Sequence, residues 1–263
     1  MDSRASRVRY FAAFAAIYII WGSTYLAIRY AVETVPPLLM ASARFILGGT
    51  LFFLWANFRS SPTVTASQLR WTTITGVLML GAGGGAVHWA ERYVPSGLTA
   101  LLVASVPLMM VLLDWLRPSG RRPSGLALTA VIAGFIGIGF LVQPETDITH
   151  QAEYLAGSIA VLVGCLAWSF GSVLSRYVDL PESKSLETSL KLLAGGLALL
   201  IAGLLSGEAE QIVWAQISRR SVLALVYLVV LGSSAFVGYN YLLKVTTTAK
   251  VATYAYINPV VAV

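Results

Sequence analysis

Long runs of apolar residues, separated by short polar connections, fill almost the whole chain. Six runs contain no Asp, Glu, Lys or Arg, and they cover residues 10–28, 71–90, 93–113, 123–144, 154–175 and 221–243. Two further runs carry isolated charges: one Arg in residues 38–58, and one Glu and one Lys in residues 185–207. A helix of about 20 apolar residues spans a hydrocarbon core about 30 Å thick. The pattern therefore predicts eight membrane-spanning helices.

A ninth apolar run, residues 251–263, is too short to cross a bilayer. We expect the chain to end within this ninth helix and the native protein to continue beyond it. Side chains that are 57% hydrophobic and 11% charged are more apolar than a soluble domain of 263 residues can bury. The predicted fold class is an all-α polytopic membrane protein, and the short connections leave no room for a separate catalytic or nucleic-acid-binding domain.

The basic residues are unevenly divided between the two sides of this predicted bundle. Four lie on the side opposite the N-terminus, namely Arg29, Arg92, Arg219 and Arg220. Twelve lie on the same side as the N-terminus: Arg4, Arg7, Arg9, Arg59, Arg70, Arg117, Arg121, Arg122, Arg176, Lys184, Lys244 and Lys250. Because cytoplasmic loops carry the excess of Lys and Arg, the N-terminus is predicted to be cytoplasmic. The net charge of +6 is thereby explained by topology, without a nucleic-acid partner.

The two halves of the sequence repeat at an offset of 147 residues, which shifts by a few residues further along. The aligned positions are Trp21 with Trp168, Arg29-Tyr30 with Arg176-Tyr177, Arg44 with Lys191, Gly81 with Gly232, His88 with Tyr239, and Pro107 with Pro259. Each half holds about five spans, and an odd number makes the second half enter the membrane from the opposite side. We therefore predict two inverted five-helix repeats, residues 1–146 and 147–263, in a ten-helix architecture.

Several short motifs carry a family resemblance. Trp21-Gly22-Ser23, Arg44-Phe45 and the Ala/Leu-rich run containing Pro107, with their counterparts in the second half, make the chain resemble the drug/metabolite transporter superfamily, in particular its EamA-type ten-helix exporters of bacterial inner membranes. The resemblance covers the whole chain, although the tenth helix is absent and the ninth incomplete. It implies a central cavity between inverted halves, cytoplasmic termini, and export of amino acids and small metabolites. We further expect transport by alternating access without a cofactor, and a neutral, zwitterionic or anionic substrate, because the spans hold no deep carboxylate to offset Arg44 and Lys191.

Other functions fit the sequence less well. Cation exporters among the small multidrug relatives rely on an acidic residue in the first helix, and residues 10–28 contain none. A channel requires rings of like charge or a filter formed by several subunits. GxSxG, HExxH and P-loop motifs are absent, so neither an intramembrane enzyme nor an ATP-driven pump is indicated. A secondary active or facilitative transporter is favoured over a multidrug exporter, a channel or an enzyme.

Two cations within the spans are the first candidates for binding substrate. A charge at the centre of a spanning helix costs about 2.5–3.5 kcal/mol on insertion scales, so it faces protein or water and often marks a functional site. Arg44 is predicted to line the cavity and hold a substrate carboxylate, and the alternative is that it caps carbonyls of a broken helix. Lys191 is a second candidate, with a helical ion pair to Glu187 or snorkelling to the interface as alternatives.

Aromatic residues near the middle of the spans are the second group of candidates. Trp21 and Tyr25 share a helical face, and Trp168 is the counterpart of Trp21. Facing the centre, they would supply an apolar wall with polar tips; interfacial belts or helix packing is the alternative.

Polar pairs follow the glycine-rich segments of both halves. These pairs are His88-Trp89 and Tyr239-Asn240, and we predict that they contact substrate. His88 is the candidate for proton coupling, since it is the only group within a span that titrates near neutral pH; a hydrogen-bonded histidine at the interface is the alternative. Two His and one Cys in the whole chain leave no basis for a metal site.

Matching prolines are predicted to act as hinges. Pro107 and Pro259 each remove a backbone hydrogen bond at mid-membrane, and interrupted helices at corresponding places point to a transporter's binding site. Ser105, Tyr254 and Asn258 flank these prolines and are predicted to satisfy the freed carbonyls or to contact substrate.

Overall fold

A computed structural model of the chain describes residues 3–59, 63–117 and 151–262, together with six single positions, Gly125, Thr129, Ile132, Ala133, Ile136 and Gly137. The predicted span at residues 123–144 lies outside the continuously described ranges. In the described ranges all regular structure is helical, as predicted.

The described residues form eight helices, several of them built from consecutive segments. In chain order they are α1 (Ser3–Ala15, π-helical Ala16–Ile20 and Trp21–Ala31), α2 (Pro37–Arg59), α3 (Ala66–Gly76, π-helical Val77–Gly84 and Gly85–Ala90), α4 (Ser96–Val103 and Val106–Leu116), α5 (Gln151–Leu174), α6 (Lys184–Leu205), α7 (Arg219–Tyr227, π-helical Leu228–Gly232 and Ser233–Val245) and α8 (Thr248–Ala252 and Tyr254–Ala262). Two short 3₁₀ turns, Glu208–Gln211 and Trp214–Gln216, connect α6 to α7.

Six of these helices are long and apolar enough to cross a membrane: α1, α2, α4, α5, α6 and α7. They confirm six of the eight predicted spans. The predicted span at residues 71–90 is helical as part of α3, but its Gly, Thr and His residues make it less apolar than the other six. Large apolar side chains on α2, such as Leu47, Leu51 and Trp55, are about half exposed on the outside of the bundle. Such a surface suits a hydrocarbon solvent.

Side-chain caps fix where several helices begin. Thr65 and Gln68 form a capping box at the start of α3, with Gln68 N donating to Thr65 Oγ1 at 3.1 Å. The side-chain oxygens of Ser183, Ser218 and Thr247 each accept a hydrogen bond from a main-chain N–H in the first turn of α6, α7 and α8. These caps satisfy backbone N–H groups at the membrane boundary and set the register of each helix.

Helix α2 packs most extensively on α6, across the boundary between the predicted halves. Glycines allow this approach: a Cβ atom at Gly49 would lie 3.0 Å from the carbonyl oxygen of Ser189, and one at Gly196 would lie 3.0 Å from the main-chain nitrogen of Ile46. A carboxylate adds a further tie, because Glu208 accepts hydrogen bonds from Leu39 N at 2.9 Å and from Leu38 N at 3.2 Å in the first turn of α2.

The two ends of the bundle are held by equivalent contacts. At the end that carries the α1–α2 turn, Arg29 donates to the carbonyl oxygen of Glu91, just after α3. At the opposite end, which carries the α5–α6 connection, Arg176 donates to the carbonyl oxygen of Leu243 at 2.8 Å, near the end of α7. We call these contacts the Arg29 clasp and the Arg176 clasp.

Candidate functional site

A central cavity lies between the helices, and residues of all eight described helices line it. Its empty volume is about 750 Å³, including the part open to solvent. Seven of the predicted site residues line this cavity, namely Trp21, Tyr25, Arg44, His88, Trp168, Tyr254 and Asn258. The sequence therefore located the cavity on five helices, from α1, α2 and α3 to α5 and α8.

Arg44 lies on the cavity wall and is 7% exposed. Its Nη1 is 3.1 Å from His88 Nε2, and its guanidinium carbon is 5.1 Å from the centroid of the Phe45 ring. Among the described residues Arg44 forms no ion pair, and its Nε has no hydrogen-bond partner. A guanidinium has five N–H donors, and the contact with His88 uses only one of them.

His88 holds the guanidinium of Arg44 in place. Its Nδ1 is 2.7 Å from the carbonyl oxygen of Gly84, at the end of the π-helical segment of α3. Because Arg44 can only donate, His88 Nε2 accepts, and Nδ1–H donates to the carbonyl. This arrangement is the neutral tautomer of histidine, with both ring nitrogens in use.

The space that Arg44 occupies depends on Gly232, which ends the π-helical segment of α7. A Cβ atom at position 232 would lie 2.8 Å from Arg44 Nη2. The carbonyl oxygen of the same glycine accepts a hydrogen bond from Trp21 Nε1 at 3.2 Å. Gly232 thus brings the backbone of α7 close to both Arg44 and Trp21.

Five aromatic rings pack together at the cavity, and four of them line it. The rings belong to Trp21, Trp168, Phe236, Tyr239 and Tyr254. The centroids of neighbouring rings lie 5.1–6.2 Å apart. The fifth ring, that of Tyr239, is fully buried and does not line the cavity. Its hydroxyl accepts from Trp168 Nε1 at 3.1 Å and lies 2.7 Å from Ser172 Oγ. We call these five residues the aromatic floor.

Asn258 joins α8 to the π-helical segment of α1. With its amide nitrogen turned toward α1, it donates to the carbonyl oxygens of Tyr254 at 3.0 Å and of Ile17 and Tyr18 at 3.2 Å. Nearby, the hydroxyls of Tyr18 and Thr253 are 2.7 Å apart. Asn258 therefore contacts main-chain carbonyls of α1 and α8 and also lines the cavity.

Lys191 and Asn240 do not line the cavity. Lys191 Nζ donates to Glu187 Oε1 at 2.8 Å, Ser175 Oγ at 3.0 Å and Asn240 Oδ1 at 3.1 Å. Lys184 also contacts the carboxylate, with its Nζ 2.6 Å from Glu187 Oε2. Lys191 thus forms the ion pair that the sequence left as an alternative, in a fully buried polar cluster.

The remaining predicted residues do not line the cavity either. Trp89 is half-buried, with its ring 5.3 Å from that of Tyr93, and Ser105 is fully buried at the break in α4. Pro107 lies in the first turn of the second α4 segment, where its missing N–H removes no helical hydrogen bond. Pro259 lies inside the second segment of α8, several residues after the break at Thr253. The helix breaks are thus near the predicted hinges but not at the prolines.

Sequence reasoning missed several cavity residues. Thr24, Phe45, Ser233 and Phe236 all line the cavity. Ser233 Oγ is buried without a hydrogen-bond partner. Phe45 follows Arg44 directly, which was a usable signal, whereas Ser233 and Phe236 resemble any other residue of an apolar helix.

A bundle of helices that are apolar enough to span a membrane, around a central cavity with a buried cation on its wall, is the architecture of a membrane transporter. The chain belongs to the EamA-like transporter family, whose sequence model matches residues 9–143 and 155–263.

Similar proteins agree with this family. The chain is 36% identical over 255 residues to the uncharacterized inner membrane transporter YedA of Escherichia coli K12, covering 96% of this chain and 80% of that protein. It is 24% identical over 254 residues to the uncharacterized transporter YvbV of Bacillus subtilis, covering 95% and 80%. One solved crystal structure superposes with a TM-score of 0.69 at 21% identity, covering 97% of this chain and 86% of that one, which shows a shared fold.

Proposed function

We propose that this transporter exports small carboxylate-bearing metabolites, such as amino acids, across the bacterial inner membrane by alternating access between two inverted halves. The observation that carries the proposal is Arg44, a cation on the wall of the central cavity with no ion pair among the described residues. An unpaired cation in a low-dielectric site favours an anionic partner.

The chemistry of the cavity wall supports a carboxylate. None of the described residues that line the cavity is an Asp or a Glu, so a cationic solute would meet Arg44 without a compensating charge. A planar guanidinium can hold a carboxylate through two parallel hydrogen bonds. The aromatic floor offers an apolar surface for the rest of the solute.

Equivalent contacts in the two sequence halves support inversion. At an offset of 147 residues Arg29 corresponds to Arg176; at an offset of 152, which also relates Pro107 to Pro259, Glu91 corresponds to Leu243. The Arg29 clasp and the Arg176 clasp are thus the same contact at opposite ends of the bundle.

The buried cations repeat in the same way. The 3.1 Å contact between Arg44 and His88 corresponds to the 3.1 Å contact between Lys191 and Asn240. In this contact pattern the counterpart of His88 is Asn240, one residue beyond the Tyr239 that the sequence alignment gave. Helices related by inversion can exchange environments, which is how inverted-repeat transporters open alternately to each side.

Exchange of substrate by Arg44 variants tests the proposal. Wild-type protein in liposomes should show saturable counterflow of at least one small carboxylate. Arg44→Lys keeps the charge but cannot reproduce two parallel hydrogen bonds, so its substrate affinity should fall roughly tenfold, and that of Arg44→Ala further. Affinity is measured by calorimetry on variants whose melting temperatures match the wild type. Unchanged affinity in both variants would contradict a binding role for Arg44.

A further inference from the structure

The two buried cations occupy equivalent positions but differ in their electrostatic partners. Lys191 is 2.8 Å from the carboxylate of Glu187, and that carboxylate also contacts Lys184. Arg44 has no such partner among the described residues, and its contacts are His88 and the ring of Phe45. One half therefore neutralises its cation internally, while the other half leaves its cation for a ligand.

The difference originates at one position, a single helical turn before each cation. In α6 that position is Glu187, and in α2 the residue at the same offset of 147 is Met40. Both side chains are buried, with exposures of 1% and 0%. Residues four apart lie on the same helix face, so a carboxylate at position 40 would reach Arg44 as Glu187 reaches Lys191. Met40 instead packs in an apolar cluster with Ile28 and Leu228.

We infer that Met40 is a specificity-determining residue, because the lack of a carboxylate at this position keeps the charge of Arg44 free for the carboxylate of the substrate. The inference rests on the proposed function of Arg44. An internal carboxylate on the same helix is present at a very high effective concentration and would outcompete a dissolved carboxylate. By the same argument Lys191 does not bind the substrate carboxylate, because its charge is already paired with that of Glu187.

Substitution of Met40 tests this inference, with the charge isolated by a matched variant. Met40→Glu places an acid next to Arg44, and Met40→Gln places an uncharged side chain of the same length there. Thermal-shift screening of the wild-type protein with amino acids, 2-hydroxy acids and 3-phenylpropionate, each beside its carboxamide, selects the carboxylate probe. No stabilisation by any carboxylate contradicts the proposed function and this inference with it.

Affinity for the selected probe should separate the two variants. We expect Met40→Glu to bind the carboxylate at least roughly tenfold more weakly than the wild type, while its affinity for the carboxamide changes less than about threefold. Met40→Gln should retain both affinities within about threefold. If folded Met40→Glu protein binds the carboxylate as tightly as the wild type, the inference is wrong. If Arg44→Ala loses carboxylate affinity in the same experiment, the proposed function still stands. Failure of Met40→Glu alone to fold also overturns it, since Arg44 would then not neutralise a neighbouring acid.

A second arm does not depend on position 40. The double variant Glu187→Met/Lys191→Met replaces the buried ion pair by apolar side chains, a change that proteins often tolerate. Because Glu187 keeps Lys191 out of binding, carboxylate affinity should stay within about threefold of the wild type. A tenfold loss in the folded double variant would show that Lys191 contributes charge to the site and would overturn the inference.

Discussion

At the scale of single residues, the sequence predicted best the residue types that are rare within membrane-spanning helices, such as charged ones. Arg44 and Lys191 stand out in apolar helices, and both are buried. Their different environments depend on Glu187, and its position one turn before Lys191 was visible in the sequence. Ser233 and Phe236 were not predictable, since only the packing of α7 against α2 and α1 turns them toward the cavity.

Glycine 232 provides a residue-scale prediction with a built-in control. Gly232→Ala places a methyl group 2.8 Å from Arg44 Nη2, so the guanidinium must move and carboxylate affinity should fall about tenfold. Gly81→Ala, at the aligned position in α3, is the control. Its Cβ would lie 3.5 Å from the Cβ of Ala198, which is an ordinary van der Waals contact. Its affinity should change less than about twofold. Calorimetric titration of both variants checks this; equal affinities would mean that Arg44 has room to adapt.

At the scale of helices, the apolar runs predicted the spans well but not their internal breaks. Three of the eight described helices contain π-helical segments, and each such segment borders cavity residues. Trp21 follows the segment in α1, His88 lies in the helix after the segment in α3, and Ser233 follows the segment in α7. Such segments often occur at functional sites. The prolines predicted that α4 and α8 are interrupted. The interruptions lie at Ser105 and Thr253, however, and not at Pro107 and Pro259.

The two clasps give an element-scale prediction. Arg29→Gln should loosen the end with the α1–α2 turn, and Arg176→Gln the opposite end, because each removes a charge-assisted hydrogen bond between helix ends. Cys165, the single cysteine, lines the cavity and is 3% exposed, so it reports access. A membrane-impermeant thiosulfonate should label Cys165 several-fold faster from the side of the altered clasp in each variant. Cys165→Ala is the blank, and identical rates from both sides would argue against gating by these contacts.

At the scale of the whole molecule, the apolar pattern predicted the helical bundle, and short motifs predicted the family. Both are set by composition and order, which the sequence contains in full. The cavity could not be predicted in the same way. Residues of eight helices form it, and the sequence of one helix does not show which helices pack beside it. The predicted repeat added one piece of information about packing, because it paired positions such as Arg29 and Arg176.

Orientation in the membrane is the whole-molecule prediction. The twelve-to-four division of Lys and Arg favours a cytoplasmic N-terminus. In a Cys165→Ala background, single cysteines replacing Glu33 and Trp214 should react with an impermeant maleimide added to intact cells. A cysteine replacing Asp179, which is exposed at the opposite end, should react only after permeabilisation. The reverse labelling pattern would invert the predicted topology.

The close seam between α2 and α6 has a mechanical consequence. At Gly49 and Gly196 backbone atoms leave no space even for a methyl group, and Glu208 fastens the first turn of α2 to the α6–α7 connection. If the two halves rock as proposed, helices packed at that distance cannot slide past each other without steric overlap, and we expect the seam to act as the pivot. The largest displacements then fall on the far side of the axis, where α1 meets α7 and α8, and a crosslink across the seam would leave turnover intact while one across the far side would arrest it.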